Sequence, residues 1–176
     1  MLDIKSHLTA IPRTAPSIPL SRSLKLNLIQ PKDRILDYGC GHGFDVNHLT
    51  QNGYNACGYD LWYQPKLAKG KFDFVLCSYV INVIADQWQR LAVLETVKNL
   101  SRRGVAITAR SKIEVDRAAK KGKWKVYEDG YLTPRNTFQR GYELLELHGL
   151  LKDIGLEPEI AVGTPNYIYV YGAVHS

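Results

Sequence analysis

Three glycines alternate with other residues in ILDYGCGHGFD, residues 35–45, behind an aspartate and directly after an apolar run. Gly39, Gly41 and Gly43 leave the main chain bare, so a ligand can approach the backbone closely there. Their place, where a strand should give way to a helix, is the carboxyl edge at which doubly wound sheets bind ligands. A dinucleotide loop spaced G-x-G-x-x-G needs its third glycine where this chain carries Phe44. Asp37, two residues before the first glycine, repels a pyrophosphate and attracts an ammonium or sulfonium. Phe44 and Asp37 together argue against a nicotinamide oxidoreductase.

Asp60 stands 23 residues beyond Asp37 and closes the next apolar run. A carboxylate at that point can accept both hydroxyls of a ribose. A ribose joined to a positive centre describes S-adenosylmethionine, which is therefore the expected cofactor.

Methyl transfer from a sulfonium is an in-line displacement. Holding the acceptor near the methyl can supply ~7–11 kcal/mol, so a dedicated base is optional. The stretch CSYVINVI should line the transfer site. Within it Ser78 is assigned to the cofactor side, and Tyr79 and Asn82 are the candidate catalytic residues that shape the acceptor pocket. Cys77 falls inside an apolar run with no preceding proline and reads as a buried, inert thiol. His42 is a loop side chain expected to face solvent. No cluster suggests a metal site, because the three cysteines Cys40, Cys57 and Cys77 show no CxxC spacing.

Further along, KKGKWKVYEDGYLTPRNTFQR interleaves Lys120, Lys121, Lys123 and Lys125 with Trp124, Tyr127 and Tyr131. Cations beside stacking aromatics suit single-stranded or flipped nucleotides, while a charge run in a loop is also ordinary solvated surface. Nucleic acid is thus a possible partner and acceptor, and a small-molecule acceptor stays open, with Tyr127, Asp129, Tyr131 and Thr133 as its lid.

The elements that must position these groups follow from the hydrophobic pattern. Pro12, Pro16 and Pro19 make residues 1–19 an extended arm ahead of one domain at 20–176. LSRSLKLNLIQ, with Leu20, Leu24 and Leu28 four apart and Ser21 as cap, predicts a short helix ended by Pro31. From Arg34 the chain alternates short apolar runs with helical stretches, which means parallel strands joined by crossover helices in a doubly wound α/β sheet. The first crossover helix should end at Gly53. A second, ADQWQRLAVLETVKNL, spaces Trp88, Leu91, Leu94 and Val97 along one face, with Arg90 and Lys98 elsewhere. Residues from Arg110 to about Asn136 read as an irregular polar segment. Thr137 then caps a helix carrying Leu144, Leu147, Leu151 and Ile154, and LEPEIAVGTPNYIYVYGAV reads as an antiparallel hairpin turning at GTPN.

At 176 residues, with 45% hydrophobic and 23% charged residues, the chain has the balance of one folded domain and not of a disordered one. No stretch approaches a membrane span and the N-terminus lacks a secretory apolar core, so no membrane partner and a reducing, cytoplasmic setting are expected. The net charge of +6 favours polyanions only weakly.

LDYGCGHG and the acidic end of the second run resemble the class I S-adenosylmethionine-dependent methyltransferases over roughly residues 20–176. The resemblance implies a Rossmann-like sheet with the C-terminal hairpin. It implies that Asp37 and the loop Gly39, Cys40, Gly41 and Gly43 hold the methionine part, that Asp60 holds the ribose, and that Leu61 and Trp62 flank the adenine. A narrower likeness, carried by LDYGCGHGFD, GYNACGYD, YVINVI, YEDGYLTPRNTFQ and the RTAPSIPL arm, is to methyltransferases associated with bacterial DNA phosphorothioation systems, which hints at DNA modification. One departure stands out. LWYQPKLAKGKF is too short to hold a strand with a helix on each side, so one strand and its helices are expected to be missing, together with the acidic residue that touches the adenine amino group. A non-catalytic binding module of the same fold is the competing expectation.

Overall fold

A computed structural model of the chain describes residues 4–174; the first three residues of the arm and the last two of the domain lie outside the described residues. A six-stranded sheet runs in the order β2-β1-β3-β4-β9-β8, formed by β1 (Arg34–Tyr38), β2 (Asn55–Tyr59), β3 (Phe72–Ser78), β4 (Ser101–Arg110), β8 (Glu157–Gly163) and β9 (Tyr167–Ala173). The first four are parallel, and β9 lies antiparallel to both β4 and β8. This is the expected fold class. The missing strand is also as expected: among the described residues nothing pairs with the outer edge of β2. Residues 61–71 return from β2 to β3 without a strand, and Leu67 and Ala68 pack on the core.

Among the described residues five α-helices accompany the sheet. α1 is Ile18–Lys25, α2 Phe44–Gln51, α3 Gln87–Leu100, α4 Lys112–Gly122 and α5 Leu144–Asp153. Apolar side chains alternate between the two faces of β3, so Val75 and Cys77 join a core beneath α3 and α5, while Phe74 and Leu76 join one beneath α1. No helix among the described residues is long and apolar enough to cross a membrane.

Several local expectations are corrected. α1 starts at Ile18, because Ser17 rather than Ser21 accepts the Leu20 N–H at 3.2 Å. The arm is not extended throughout, since Ser6–Thr9 form a 3-10 turn. On α3 the buried stripe is Arg90, Leu94 and Val97, and Trp88 is 70% exposed. Arg90 is buried because its guanidinium caps the chain before its own helix, donating to the Ile84 and Ala85 carbonyls at 2.9 and 3.0 Å. The segment after Arg110 is not irregular. It holds α4, capped by Ser111 Oγ accepting the Glu114 N–H, and a small sheet of β5 (Lys125–Tyr127), β6 (Gly130–Leu132) and β7 (Phe138–Gln139). Thr137 caps no helix. Its Oγ1 shares a hydrogen bond with Thr133 Oγ1 in a turn, and α5 begins after Glu143 instead.

Candidate active site

β1, β2, β3 and β4 all end at one edge of the sheet, so Asp37, Asp60, Ser78 and Arg110 come to a shared rim. The rim opens into a cavity of about 2260 Å³, against roughly 300–1,000 Å³ for a pocket holding one small ligand. There is room for two ligands side by side.

The glycine loop forms one wall. Gly39, Gly41 and Gly43 take φ of +82°, +53° and +77°, which a side chain tolerates poorly. Its backbone donors are already engaged. Gly39 and Cys40 N–H donate to the Tyr59 carbonyl at 2.7 and 3.1 Å, Gly43 N–H to the Cys40 carbonyl at 2.9 Å, and Gly41 N–H to Asp60 Oδ2 at 3.0 Å. A loop whose N–H groups are spent on its own fold has none of these four left to cradle a phosphate. Cys40 is half-buried, and burial, with Asp37 and Asp60 nearby, pushes its thiol up to about 12, so it is no nucleophile.

Asp37 is 5% exposed and lines the cavity, and its carboxylate takes no hydrogen bond among the described residues. Burial pushes it up to about 8, Asp45 and Asp60 adding to the rise and Arg13 opposing it. A buried carboxylate facing open space with no partner is arranged for a cation. Asp60 is differently placed. Its Oδ1 accepts the N–H groups of Trp62 and Tyr63 at 2.9 and 3.1 Å, so it organises the turn after β2 as well as the loop. Leu61 and Trp62 beyond it are 72% and 62% exposed and line the cavity.

On the opposite side Ser78, Tyr79 and Asn82 line the same space. Ser78 Oγ and Asn82 Oδ1 are buried without partners among the described residues. Tyr79 sits at φ +61°, pinned by its N–H on the Thr108 carbonyl at 2.7 Å, a strained conformation for an aromatic residue. Burial raises its phenol, so it offers a neutral hydroxyl rather than a base. Cys77 is wholly buried and its thiol is raised by burial, in line with an inert core residue. His42 is exposed and packs at a tilt against Tyr63 with centroids 4.3 Å apart.

Of four further features, three escaped the sequence reading and Asp129 was read there only as a lid residue. Arg110, at the end of β4, donates from Nε and Nη2 to Glu114 at 2.5 Å each and from Nη1 to Gln139 Oε1 at 2.7 Å. Gln139 in turn lies 3.5 Å from Asn82 Nδ2. The third is Asp129, which joins Arg90 at 2.5 Å and Arg140 at 2.6 Å and so ties the small sheet to α3. A cation closing an apolar strand was the available signal for Arg110; the partners in β7 come from a segment without periodicity. The fourth is the arm, whose His7 ring packs at a tilt against Trp62, with centroids 4.1 Å apart. Of the lid candidates, Tyr127, Asp129 and Thr133 reach the cavity, whereas the Tyr131 hydroxyl donates to Asp116 on α4 at 3.0 Å. Lys120, Lys121, Lys123 and Lys125 are all exposed around the end of α4, and Trp124 between them lines the cavity.

A family profile described as a methyltransferase domain matches residues 13–159, most of the chain. The chain belongs to the methyltransferase domain family. No curated protein matches this methyltransferase domain. Among solved structures it is similar to an S-adenosylmethionine-dependent methyltransferase from Methanosarcina mazei, with 16% identity over 86% of this chain and 96% of that one and a TM-score of 0.67. It is similar to 1,6-didemethyltoxoflavin-N1-methyltransferase from Burkholderia thailandensis, solved with 1,6-didemethyltoxoflavin and S-adenosylhomocysteine (15%, 99% and 80%, TM-score 0.66). A third is magnesium protoporphyrin IX methyltransferase from Synechocystis PCC 6803 with bound S-adenosylhomocysteine (16%, 89% and 80%, TM-score 0.64). At these identities the likeness shows the shared fold.

Proposed function

We propose that this methyltransferase domain is an enzyme that binds S-adenosylmethionine between the glycine loop and Asp60 and passes its methyl group to an acceptor in the Tyr79, Asn82 and Trp124 half of the cavity. The observation that carries the reading is the Asp37 carboxylate, buried, unpartnered and open to the cavity beside a loop with its donors spent. The residues fit the cofactor. A cationic amino acid end suits Asp37, and a ribose suits Asp60, whose oxygens retain lone pairs beyond the N–H groups they already accept. When bound, the cofactor supplies an electrophilic methyl on a sulfonium that leaves as a neutral thioether. The chain's part is to neutralise, orient and exclude water, which proximity makes sufficient.

For the acceptor we propose a nucleic acid strand reached across Lys120, Lys121, Lys123 and Lys125. Their exposure on either side of a cavity-lining Trp124 supports this, and so does the likeness to phosphorothioation-associated methyltransferases. The test combines two measurements. Calorimetry with S-adenosylhomocysteine should give binding, and labelled S-adenosylmethionine offered with separate DNA, RNA, protein and metabolite fractions should mark the DNA or RNA. Label in the metabolite fraction alone replaces the nucleic acid reading with a small acceptor. Binding with no label anywhere leaves a non-catalytic module instead.

A further inference from the structure

A nucleoside with its ribose at Asp60 would set its base among the residues after β2, which among the described residues is the edge of the sheet. The arm folds into this region, where loops from three parts of the chain hold it. Ser6 Oγ donates to the Val83 carbonyl at 3.1 Å, the Tyr63 hydroxyl donates to the His7 carbonyl at 3.2 Å, and Lys5 N–H donates to the Asn136 carbonyl at 3.0 Å. His7 is thereby set against Trp62, whose own N–H is fixed by Asp60.

His7 lines the cavity, and its Nδ1 is buried with no hydrogen-bond partner among the described residues. Such orphans are few in folded proteins, and leaving one unpaired is costly. Imidazole with its proton on Nε2 presents Nδ1 as an acceptor, the partner an amino group needs. We propose that His7 reads the adenine base of the cofactor, Nδ1 accepting from the exocyclic amino group while Trp62 gives the base an aromatic wall. The inference rests on the S-adenosylmethionine reading and names what replaces the absent strand: a side chain of the N-terminal arm. It makes the arm part of the cofactor site, so the site is complete only with the arm folded.

The test compares S-adenosylhomocysteine with its 6-deamino purine analogue, which carries only hydrogen where adenine has its amino donor. Wild type should prefer the adenosyl compound by about tenfold or more, since the deamino compound leaves Nδ1 unpaired whichever ring nitrogen holds the proton. In His7→Leu the preference should fall to within about twofold through weaker adenosyl binding, with the affinity for the deamino compound unchanged. His7→Asn, whose Oδ1 can take the place of Nδ1, should restore it. An unchanged melting temperature in the three proteins separates recognition from folding. Equal wild-type affinities, or a preference that survives in His7→Leu, overturns the role of His7 and leaves the cofactor reading standing. If wild type binds neither compound, both readings fall together.

Discussion

The backbone N–H of Gly41 donates to Asp60 Oδ2 at 3.0 Å, joining the bend after β1 to the end of β2. One carboxylate thus shapes the loop and, on the proposed reading, also meets the ribose. Asp60→Ala should therefore lose more than a ribose contact. Hydrogen bonds to a charged group contribute about 1.5–3 kcal/mol each, so affinity for S-adenosylhomocysteine should fall at least about tenfold. Asp60→Asn should be nearly as damaging, because an amide that keeps its oxygen for Trp62 and Tyr63 turns an N–H₂ toward the Gly41 donor. Calorimetry on both variants checks this, and an asparagine variant with wild-type affinity would show that cofactor binding needs neither the Gly41 bond nor a charge at this position.

Asp37 sets a pH dependence. Below about 8 the ligand-free protein holds a proton on this carboxyl, and a cationic ligand must displace it. Binding of S-adenosylmethionine should tighten about tenfold per pH unit between roughly pH 6 and 8 and then level off. That component should be absent from Asp37→Asn. Stability runs the other way. The folded protein keeps the proton from the unfolded value of 3.8 up to about 8, so this group stabilises fully at low pH and its contribution is lost as pH rises through that window. Asp37→Asn should gain on wild type by about 1.4 kcal/mol per pH unit across it. Urea unfolding at pH 5 and pH 8 measures the gap, and a constant gap would mean the carboxyl ionises normally.

The parallel sheet, its antiparallel C-terminal pair, the missing strand and the glycine loop were legible because backbone demands write themselves into residue type. Left-handed φ at Gly39, Gly41 and Gly43 favours glycine, and Asp37 and Asp60 fall at the carboxyl ends of the apolar runs that become β1 and β2. The acceptor side was not legible. Gln139 belongs to a two-residue strand, and α4 buries only Val115 and Ala119, too few for a clear stripe. Arg90 was misplaced because a guanidinium that finds carbonyl and carboxylate partners can enter a face that periodicity reserves for apolar residues. His7 carried no signal at all, since its importance comes from a strand that is absent.

Gly39 is needed for space as well as for its φ. A Cβ there would stand 2.3 Å from Val80 Cγ2, and the left-handed conformation alone costs a side chain roughly 1–2 kcal/mol. Gly39→Ala should destabilise by more than that backbone cost. Adding Val80→Ala should relieve the collision and leave the backbone cost, giving a coupling of about 0.5–3 kcal/mol in a double-mutant cycle. Chemical denaturation of the four proteins provides the numbers. Strict additivity would mean that the loop moves aside rather than pressing on Val80.

The acceptor side should separate experimentally from the cofactor side at Gln139. Arg110 can only donate, so its bond to Gln139 Oε1 fixes which end of that amide faces Asn82, and Asn82 in turn meets it with Nδ2 and keeps Oδ1 unpaired. Gln139→Leu removes the common acceptor, leaves the Arg110 Nη1 without it and frees the Asn82 carboxamide to rotate. Stability should fall by about 1–3 kcal/mol, the cost of an unsatisfied buried donor. Affinity for S-adenosylhomocysteine should stay within about twofold, because none of these groups bonds to Asp37, Asp60 or the glycine loop. Transfer to whichever fraction takes the label should slow roughly tenfold, the consequence of an acceptor held in the wrong pose. Gln139→Glu keeps the oxygens for Arg110 and Asn82 and should recover most of the rate. A leucine variant that weakens cofactor binding as much as it slows transfer would place Asn82 with the cofactor rather than with the acceptor.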